Sequence, residues 1–474
     1  MVGSKWVFRL KKDAKGQVVR LKARLVAQGF SQVPGVDYFD TFALVSRLSS
    51  IRTVLMMAAA DNLELHQIDI KGAYLNGELT DNKVIYMRQP PGYAEGQSVC
   101  HLCKPLYGLK QSGRHWYQKL VNIMLKLGFK HYKVDQAVFY RCNKERGVLI
   151  IVLVHVDDCS IATLTSLLID RFKHEITTHM DITDMGELRW ILGMEVMCIC
   201  EERRILLCQR SYIDSIVRRY GFEDLKPIST PMDPQLKLST AQSPNSAEDI
   251  AKMRHISYHE AIGSLMYASL GSQPDITFAV QTLFWFSTNP GPIHWDAVKH
   301  VFRYLKGTCT LWLLYEGGDI DLTGYADADG SMMEERRAVS GYTFLLNGGA
   351  VSWGSKKQKL SRSQQWRVNT SPLPTQQKKR FGSEVSFRNC STSSCPQPPF
   401  SLTTNQQSPS LKNQYHARTK HIDIRYHFIC WVIEDGKLRL IYCPTNEMAT
   451  DVLTKALPSP KVKHFASALS LVTI

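Results

Sequence analysis

The chain has 474 residues, too many for one ordinary domain, and this length predicts two or three domains. Hydrophobic residues make up 44% and aromatic residues 10% of the sequence, which is enough for packed cores and excludes a chain that is disordered throughout. The formal net charge of +15 fits a polyanionic partner such as nucleic acid, although a merely basic globular protein would look the same.

The first residues show no signal peptide, and no apolar run approaches the roughly 20 residues of a membrane helix. We therefore expect an intracellular protein, in the cytoplasm or nucleus, with no membrane partner. The 12 cysteines are then expected to be free thiols. Cys100 and Cys103 have zinc-like spacing, and Cys198 and Cys200 lie in a strand-like run, so zinc binding stays a minor alternative.

Apolar periodicity predicts a series of elements in the first part of the chain. Residues 5–30 alternate basic and apolar side chains around a turn, which predicts a basic β-hairpin. The run 148–156 is almost continuously apolar and ends at Asp157 and Asp158, which predicts a buried strand that enters a tight turn. The other predicted elements are a helix from Ser49 or Ser50 to Ala60, a strand at 63–70, a short helix or turn at 72–76, and helices at 115–128 and 164–176.

The second part of the chain begins with a hairpin pattern and then becomes helical. Pro and Ser residues within 227–248 mark a boundary, and a new β pattern begins at Leu322 and continues from Gly341 to Trp353. A second domain is therefore expected to begin near residue 318. The remaining predicted elements are a hairpin at 193–209 and helices at about 212–220, 258–270 and 292–306.

Residues 359–413 differ in composition from the rest of the chain. Ser, Thr, Gln, Pro and Asn account for 33 of these 55 residues, and Glu384 is the one acidic residue. Such a segment has too little apolar surface to repay the entropy of folding, so we expect it to be disordered.

Three aspartates suggest a catalytic metal site. Asp69 stands at the end of the strand predicted at 63–70, and Asp157 and Asp158 stand at the end of the strand predicted at 148–156. Carboxylates at the tips of adjacent strands can converge on two divalent cations, as nucleotidyl transfer requires. An adjacent Asp pair alone is weak support because it often only forms a turn.

The sequence resembles the reverse transcriptase of copia-type retrotransposon Pol polyproteins at many separate places in the right order, over most of residues 5–360 and again over 415–468. No single short motif carries this resemblance. The matching segments include residues 5–8, 22–30, 67–69, 74–79, 89–92, 106–111, 116–117, 155–158, 229–232, 263–267, 274–276 and 303–308.

The resemblance implies template-directed addition of dNTPs to a DNA primer, on an RNA or DNA template, with two Mg²⁺ or Mn²⁺ ions. It also implies an RNA–DNA hybrid as a partner. It implies that Asp69 and Asp157 are indispensable metal ligands and that Asp158 supports them. His155 departs from the family, in which Tyr is usual before Val-Asp-Asp, and should weaken packing at the primer terminus without removing a ligand.

The resemblance also implies four nucleotide-binding residues, each with an ordinary alternative. Tyr74 would exclude a ribose 2′-hydroxyl, or it packs in the core; Gln111 would line the nucleotide pocket, or it is an exposed loop residue. Lys22 and Arg24 would neutralise the triphosphate, or they form a solvated strand face, and the choice between the two is open.

An RNase H domain is implied by the last third of the sequence, with Asp327 and Asp451 in matching contexts. The family has a Glu and an Asp between these two acids, and residues 359–413 supply neither of them in a matching context. One choice of codons for 363–370, read in another frame, gives Ser-Thr-Val-Glu-Ser-Glu-Tyr, and the same shift at 401–407 gives Ser-Asp-Asn-Gln-Ser-Ala. Both missing motifs thus reappear in one frame, which favours a compensated frameshift over a natural low-complexity linker.

The sequence thus predicts an α/β (α+β) protein: a right-hand polymerase of fingers, palm and thumb, followed by a degenerate RNase H-like α/β domain. Fingers and palm are expected at 1–225, thumb and connection at 226–317, and the damaged RNase H domain at 318–474. The predicted function is RNA-directed DNA polymerase without RNase H activity. The alternative is a catalytically silent nucleic-acid-binding remnant of a decayed element.

Overall fold

The computed structural model describes residues 1–12, 17–79, 84–143, 147–329, 337–361, 399–402 and 439–474. The helices are α1 (Leu48–Asp61), α2 (Ser112–Lys126), α3 (Ser166–Thr177), α4 (Arg210–Arg219), α5 (Ala247–Arg254), α6 (Tyr258–Gly271), α7 (Thr277–Phe284), α8 (Pro292–Thr308) and α9 (Ser459–Ala468). The strands are β1 (Ser4–Lys12), β2 (Val18–Ala27), β3 (Glu64–Ile70), β4 (Tyr86–Arg88), β5 (Val99–His101), β6 (Lys130–His131), β7 (Val138–Asn143), β8 (Val148–His155), β9 (Asp158–Thr163), β10 (Ile182–Glu187), β11 (Trp190–Ile191), β12 (Met194–Ile199), β13 (Arg204–Cys208), β14 (Leu311–Glu316), β15 (Leu322–Asp329), β16 (Arg337–Leu346), β17 (Gly349–Ser361), β18 (Pro399–Leu402), β19 (Arg439–Tyr442) and β20 (Leu471–Thr473).

These elements confirm the predicted mixed α/β class and most of the predicted helices and strands. The chain forms two compact units, one of residues 1–47 and 64–188, the other of 48–63 and 189–474. Fingers, palm, thumb and connection are functional regions rather than contact units, so their predicted boundaries stay a prediction. Of the compositionally distinct segment 359–413, only 359–361 and 399–402 are described, both as strand; the rest, and the predicted disorder and frameshift, lie outside the described residues.

The first unit is built on a sheet in the order β10-β3-β9-β8-β7-β6. Its core combines the sheet with α2 and α3, through Trp116, Leu120, Phe172 and Ile176 among others. Residues 150–154 of β8 are all buried, which confirms the strand that the continuous apolar run predicts. This packing fixes the carboxyl end of β8, where the turn into β9 begins.

Strands β1 and β2 form the predicted basic ribbon. Arg9 lies directly opposite Lys22 in the register, a pairing of like charges that destabilises an isolated ribbon. Because side chains alternate between faces, Phe8 and Leu21 lie on the other face, where they are 75% and 74% exposed. The ribbon therefore has a basic face and an exposed apolar face.

A close backbone approach anchors the base of the ribbon. The Ala27 N–H donates to the Tyr107 carbonyl oxygen at 2.8 Å. Gly108 has φ +96°, and a Cβ atom there would lie 2.0 Å from the Ala27 carbonyl oxygen. Only glycine fits this position, so the ribbon and the loop before α2 are held together through backbone contacts.

The second unit contains two sheets, in the orders β11-β12-β13-β14-β20 and β17-β16-β15-β18-β19. Arg52 of α1 links α6 to β17 through hydrogen bonds. Its side chain donates to the carbonyl oxygens of Val351 in β17 (2.9 Å) and of Leu270 (2.7 Å) and Gly271 (3.0 Å) in α6. Its guanidinium carbon also lies 3.9 Å from the ring centroid of Trp353. A cation at the carboxyl end of α6 stabilises the helix dipole, and the aromatic face adds a cation–π contact.

Asp275 is a buried acid in this unit. It lies in the 3-10 turn Pro274–Ile276, is 1% exposed, and accepts a hydrogen bond of 2.5 Å from the Tyr304 hydroxyl group. Burial raises the pKa of Asp275 to about 6, and the hydrogen bond from Tyr304 opposes that rise. The folded chain therefore binds this proton more tightly than the unfolded chain does.

This raised pKa predicts a stability that falls as the pH rises. The contribution of Asp275 is fully favourable below pH 4 and is lost between about pH 4 and pH 6, a loss of about 3 kcal/mol at about 1.4 kcal/mol per pKa unit. We expect Asp275→Asn to remove this part of the pH dependence. Urea unfolding of both proteins at pH 4, 5, 6 and 7 measures it, and the same slope in both would contradict the prediction.

Candidate active site

The structure brings the three predicted aspartates of the first unit to one edge of its sheet. Asp69 of β3 and Asp158 of β9 are cross-strand partners. Asp157 lies in the two-residue turn between β8 and β9, and its carbonyl oxygen accepts a hydrogen bond of 2.8 Å from the Ile70 N–H. The strand ends that carry the acids are thus held together by backbone hydrogen bonds.

The turn between β8 and β9 has an unusual backbone. Val156 has φ +63°, whereas Asp157 is not in the left-handed region, the pattern of a type II′ hairpin turn. Glycine normally occupies the first central position, and a β-branched residue there costs about 1–3 kcal/mol. The Val156 carbonyl oxygen accepts a hydrogen bond of 2.7 Å from the indole N–H of Trp116 on α2.

Like charges are concentrated at this edge. The pKa of Asp158 is raised by burial first and then by the negative charges of Asp157 and Asp69, while a hydrogen bond from Gln67 opposes the shift. Repulsion of this kind is what a bound divalent cation would relieve. Within the described residues, no group of three or more His, Cys, Asp or Glu side chains is arranged to hold a metal ion.

His155, the departure from the family pattern, faces Asp158 across the hairpin. Burial lowers its pKa, and the negative charge of Asp157 acts in the opposite direction. This lowered pKa favours the neutral imidazole, which adds no positive charge beside the aspartates.

Two tyrosines lie beside the acids. The rings of Tyr74 and Tyr107 are 4.7 Å apart between centroids, and the guanidinium carbon of Arg24 lies 5.4 Å from the Tyr107 ring centroid. The pKa of each tyrosine is raised by burial first and then by the negative charge of Asp157. Arg24 therefore borders the acidic edge, and Lys22 lies on the same face of β2 two residues away.

Tyr74 packs against the core, as the ordinary alternative expects, and its role in sugar discrimination stays a prediction. It lies in the 3-10 turn Ala73–Asn76 and packs against the core of the first unit while staying half-buried. Packing therefore fixes the Tyr74 ring near Asp157, whose negative charge contributes to the raised pKa of the tyrosine.

Gln111 is 3% exposed, so the alternative that it is an exposed loop residue is wrong. Its side-chain oxygen accepts a hydrogen bond of 3.1 Å from the Gln32 side chain, and its nitrogen donates to the Asp37 carbonyl oxygen at 3.4 Å. Gln32 in turn accepts from the Lys110 N–H at 2.8 Å. Gln111 therefore links the segment after the ribbon to the start of α2, and its place in a nucleotide pocket stays a prediction.

Sequence reasoning assigned no role to three residues that the structure places here: Tyr107, Trp116 and Gln67. All three lie in segments that match the family: Gln67 in 67–69, Tyr107 in 106–111 and Trp116 in 116–117. Their contacts join positions far apart in the sequence, and such contacts cannot be predicted from a local sequence pattern.

In the second unit, Asp327 and Asp451 lie close to each other, and their role as metal ligands stays a prediction. Asp327 accepts a hydrogen bond of 2.9 Å from the Thr454 hydroxyl group, and Asp451 forms an ion pair of 2.8 Å with Lys455. Burial raises the pKa of Asp451 most, Lys455 opposes the shift, and the charge and hydrogen bonding of Asp327 add to it. The predicted late motif at 416–423 lies outside the described residues.

None of the described helices is long and apolar enough to cross a membrane. The described cysteines Cys100, Cys103, Cys198 and Cys200 are free thiols, and no described group containing them is arranged to hold a metal ion.

Residues 1–234 match the family model described as reverse transcriptase (RNA-dependent DNA polymerase). The chain is 38% identical over 469 residues to the retrovirus-related Pol polyprotein from transposon TNT 1-94 of Nicotiana tabacum, a match that covers 96% of this chain and 34% of the relative. A transposon Ty5-1 protein of Saccharomyces cerevisiae is 30% identical over 297 residues, with 62% of this chain and 93% of the relative covered. The chain spans about a third of the tobacco polyprotein.

Among solved structures, the foamy viral protease-reverse transcriptase in complex with an RNA/DNA hybrid is similar at a TM-score of 0.43 and 12% sequence identity. That match covers 93% of this chain and 51% of the viral chain.

Proposed function

The chain belongs to the reverse transcriptase family of copia-type retrotransposon Pol polyproteins, and on that premise we propose that it is an RNA-directed DNA polymerase. The observation that carries the proposal is the meeting of Asp69, Asp157 and Asp158 at one sheet edge, beside Tyr74 and Arg24. The reaction is the addition of dNTPs to the 3′ end of a DNA primer.

Asp69 and Asp157 would hold two divalent cations, Mg²⁺ or Mn²⁺, with Asp158 in support. Bound cations of this kind lower the pKa of the primer hydroxyl group and stabilise the charge of the leaving pyrophosphate. The supporting role of Asp158 follows from the resemblance to the family, and its place opposite Asp69 in the strand register puts it at the same edge.

The nucleotide-binding residues act around this acidic edge. Arg24, with Lys22 beside it on the same face, would bind the triphosphate through charge-assisted hydrogen bonds. Tyr74 would lie under the deoxyribose, and its ring would exclude a 2′-hydroxyl group. Gln111 would hold the pocket wall in place through its contacts with Gln32 and Asp37.

The proposed partners are an RNA template, a DNA primer, the RNA–DNA hybrid that they form, and dNTPs. The net charge of +15 and the basic face of the ribbon support a polyanionic partner. We also propose fingers and palm at 1–225, thumb and connection at 226–317, and an RNase H-like region without activity at 318–474. The place of action would be the cytoplasm or nucleus of the host.

Primer extension by the purified protein on poly(rA) annealed to oligo(dT), with dTTP and Mg²⁺, tests the proposed function. Extension that EDTA abolishes is the expected result. Binding of the same template-primer without extension, measured by fluorescence anisotropy, would instead favour the catalytically silent remnant.

Replacing Tyr74 is expected to loosen sugar discrimination. The Tyr74→Val variant keeps an apolar side chain against the core but removes the ring that would occupy the space of a 2′-hydroxyl group. We expect the ratio of rNTP to dNTP incorporation efficiency to rise by about tenfold or more, the scale of discrimination by steric fit.

Steady-state extension with UTP and dTTP measures this ratio. Tyr107→Val is the matched control because the Tyr107 ring packs against the Tyr74 ring and its hydroxyl group is subject to the negative charge of the same Asp157. An unchanged ratio in an active Tyr74→Val protein would assign Tyr74 to the core alone.

A further inference from the structure

The turn between β8 and β9, which carries Asp157, has a strained backbone that other contacts must stabilise. Val156 at φ +63° occupies a region that β-branched residues rarely adopt. Such a conformation persists only where the surrounding structure fixes it. Relaxation of this turn would change the direction of the Asp157 side chain, because the two residues share the same two-residue loop.

Two hydrogen bonds fix the loop. The Ile70 N–H donates to the Asp157 carbonyl oxygen at 2.8 Å, a backbone contact that any residue could make. The indole N–H of Trp116 donates to the Val156 carbonyl oxygen at 2.7 Å, a contact that depends on the side chain. An indole nitrogen can only donate a hydrogen bond, so Trp116 is the donor and the Val156 carbonyl oxygen is the acceptor.

The indole ring is itself immobilised. Trp116 is 2% exposed and belongs to the core formed by α2, α3 and the sheet. The donor is therefore preorganised, and the hydrogen bond costs little further side-chain entropy.

The segment after Asp69 also fixes the position of α2. Gly77, which ends the turn that contains Tyr74, approaches the helix so closely that a Cβ atom there would lie 3.1 Å from the Trp116 backbone nitrogen. The segment that follows Asp69 and the turn that carries Asp157 therefore both contact the same turn of α2, the first at Gly77 and the second through the Trp116 side chain.

We propose that Trp116 is a positioning residue, whose indole N–H holds the strained Val156 turn and so sets the direction of the Asp157 carboxylate. This inference rests on the proposed polymerase function and extends it to a residue outside the acidic edge. Trp116 touches neither substrate nor cation in this role; it acts through the turn.

The test is a double-mutant cycle of Trp116→Phe and Val156→Gly. Phenylalanine keeps an aromatic ring in the core but lacks the donor, and glycine adopts φ +63° without strain. We expect Trp116→Phe to lower kcat by about tenfold or more, as small misplacements of catalytic groups do, with a smaller change in the KM for dTTP. In the Val156→Gly background, the same substitution should cost less than about threefold.

Tyr117→Phe is the matched control. Tyr117 is the next residue of α2, and its hydroxyl group also donates to a backbone carbonyl oxygen, that of Gln136 at 3.0 Å, away from the turn. Its removal should leave kcat within about twofold, since an exposed hydrogen bond contributes little.

A second readout does not need activity. Mn²⁺ should raise the Tm of the wild-type protein and of Tyr117→Phe, and should raise it less in Trp116→Phe, because misdirected carboxylates bind the cation more weakly. Absence of extension by the wild-type protein would reject the polymerase function, while the Mn²⁺ shifts would still test Trp116.

Equal losses in Trp116→Phe and Tyr117→Phe, in kcat or in the Mn²⁺ shift, would overturn the role of Trp116. So would an undiminished loss in the Val156→Gly background. If the single variant Trp116→Phe does not fold, the double variant is compared with Val156→Gly. A kcat of the double variant close to that of Val156→Gly supports the proposal, and a much lower kcat overturns it.

Discussion

Replacing Asp69 or Asp157 by Asn is expected to abolish magnesium-dependent incorporation of dNTPs. Each substitution removes a negative charge from the sheet edge where the like charges of the two strands meet. We expect a fall in kcat of about a thousandfold or more, the scale seen when a group that stabilises transition-state charge is lost. Primer extension over a range of Mg²⁺ concentrations measures the effect.

Two further variants sharpen this prediction. Asp158→Asn should lose less activity than Asp157→Asn, because the resemblance to the family makes Asp157 an indispensable ligand and Asp158 a supporting one. Asp170→Asn makes the same chemical change on the exposed surface of α3 and should leave the rate unchanged. Wild-type rates in Asp69→Asn or Asp157→Asn would reject the assignment of these residues.

No cleavage of the RNA strand of an RNA–DNA hybrid is expected from this polypeptide, even if it polymerises. Two-metal hydrolysis needs several carboxylates that converge on the cations. Asp327 and Asp451 converge, but Asp451 is already engaged by Lys455. The sequence of 359–413 supplies neither the Glu nor the Asp that the family places between them. A labelled hybrid incubated with the protein and Mg²⁺ measures the activity.

Restoring the alternative reading frame across 359–413 provides the matched comparison. The restored chain regains the Ser-Glu-Tyr and Ser-Asp-Asn sequences and should cleave the hybrid, whereas the original should not. Cleavage by the original chain that disappears in Asp327→Asn would show that the frameshift interpretation, or the set of acidic ligands, is wrong.

The sequence was sufficient for elements whose periodicity is local. The short, β-branched apolar run of β8 is typical of a strand buried on both faces, and the structure has that strand. The helix over Ser49–Ala60 was also predicted, but its partners were not: its residue Arg52 contacts Val351, Leu270 and Gly271. Contacts between residues so far apart in the sequence cannot be predicted from local hydrophobic periodicity.

The same distinction applies to the candidate site. Asp69, Asp157 and Asp158 could be predicted because each stands at the end of a recognisable strand. Tyr107 and Trp116 could not, because their importance comes from contacts with residues more than 30 positions away. Gln111 was predicted as part of a motif, but its burial follows from Gln32 and Asp37, which no periodicity connects to it.

The position of α1 has a consequence for the order in which the chain can fold. Arg52 is separated by 299 residues from Val351, the acceptor of its side-chain Nε. α1 is buried around most of its circumference, so during synthesis its apolar surface remains without its final partner until β17 has been made. A truncated polypeptide that ends at residue 234 would contain every proposed polymerase residue but would lack β14 and β17, and it should therefore require a chaperone or a solubilising fusion to remain monomeric.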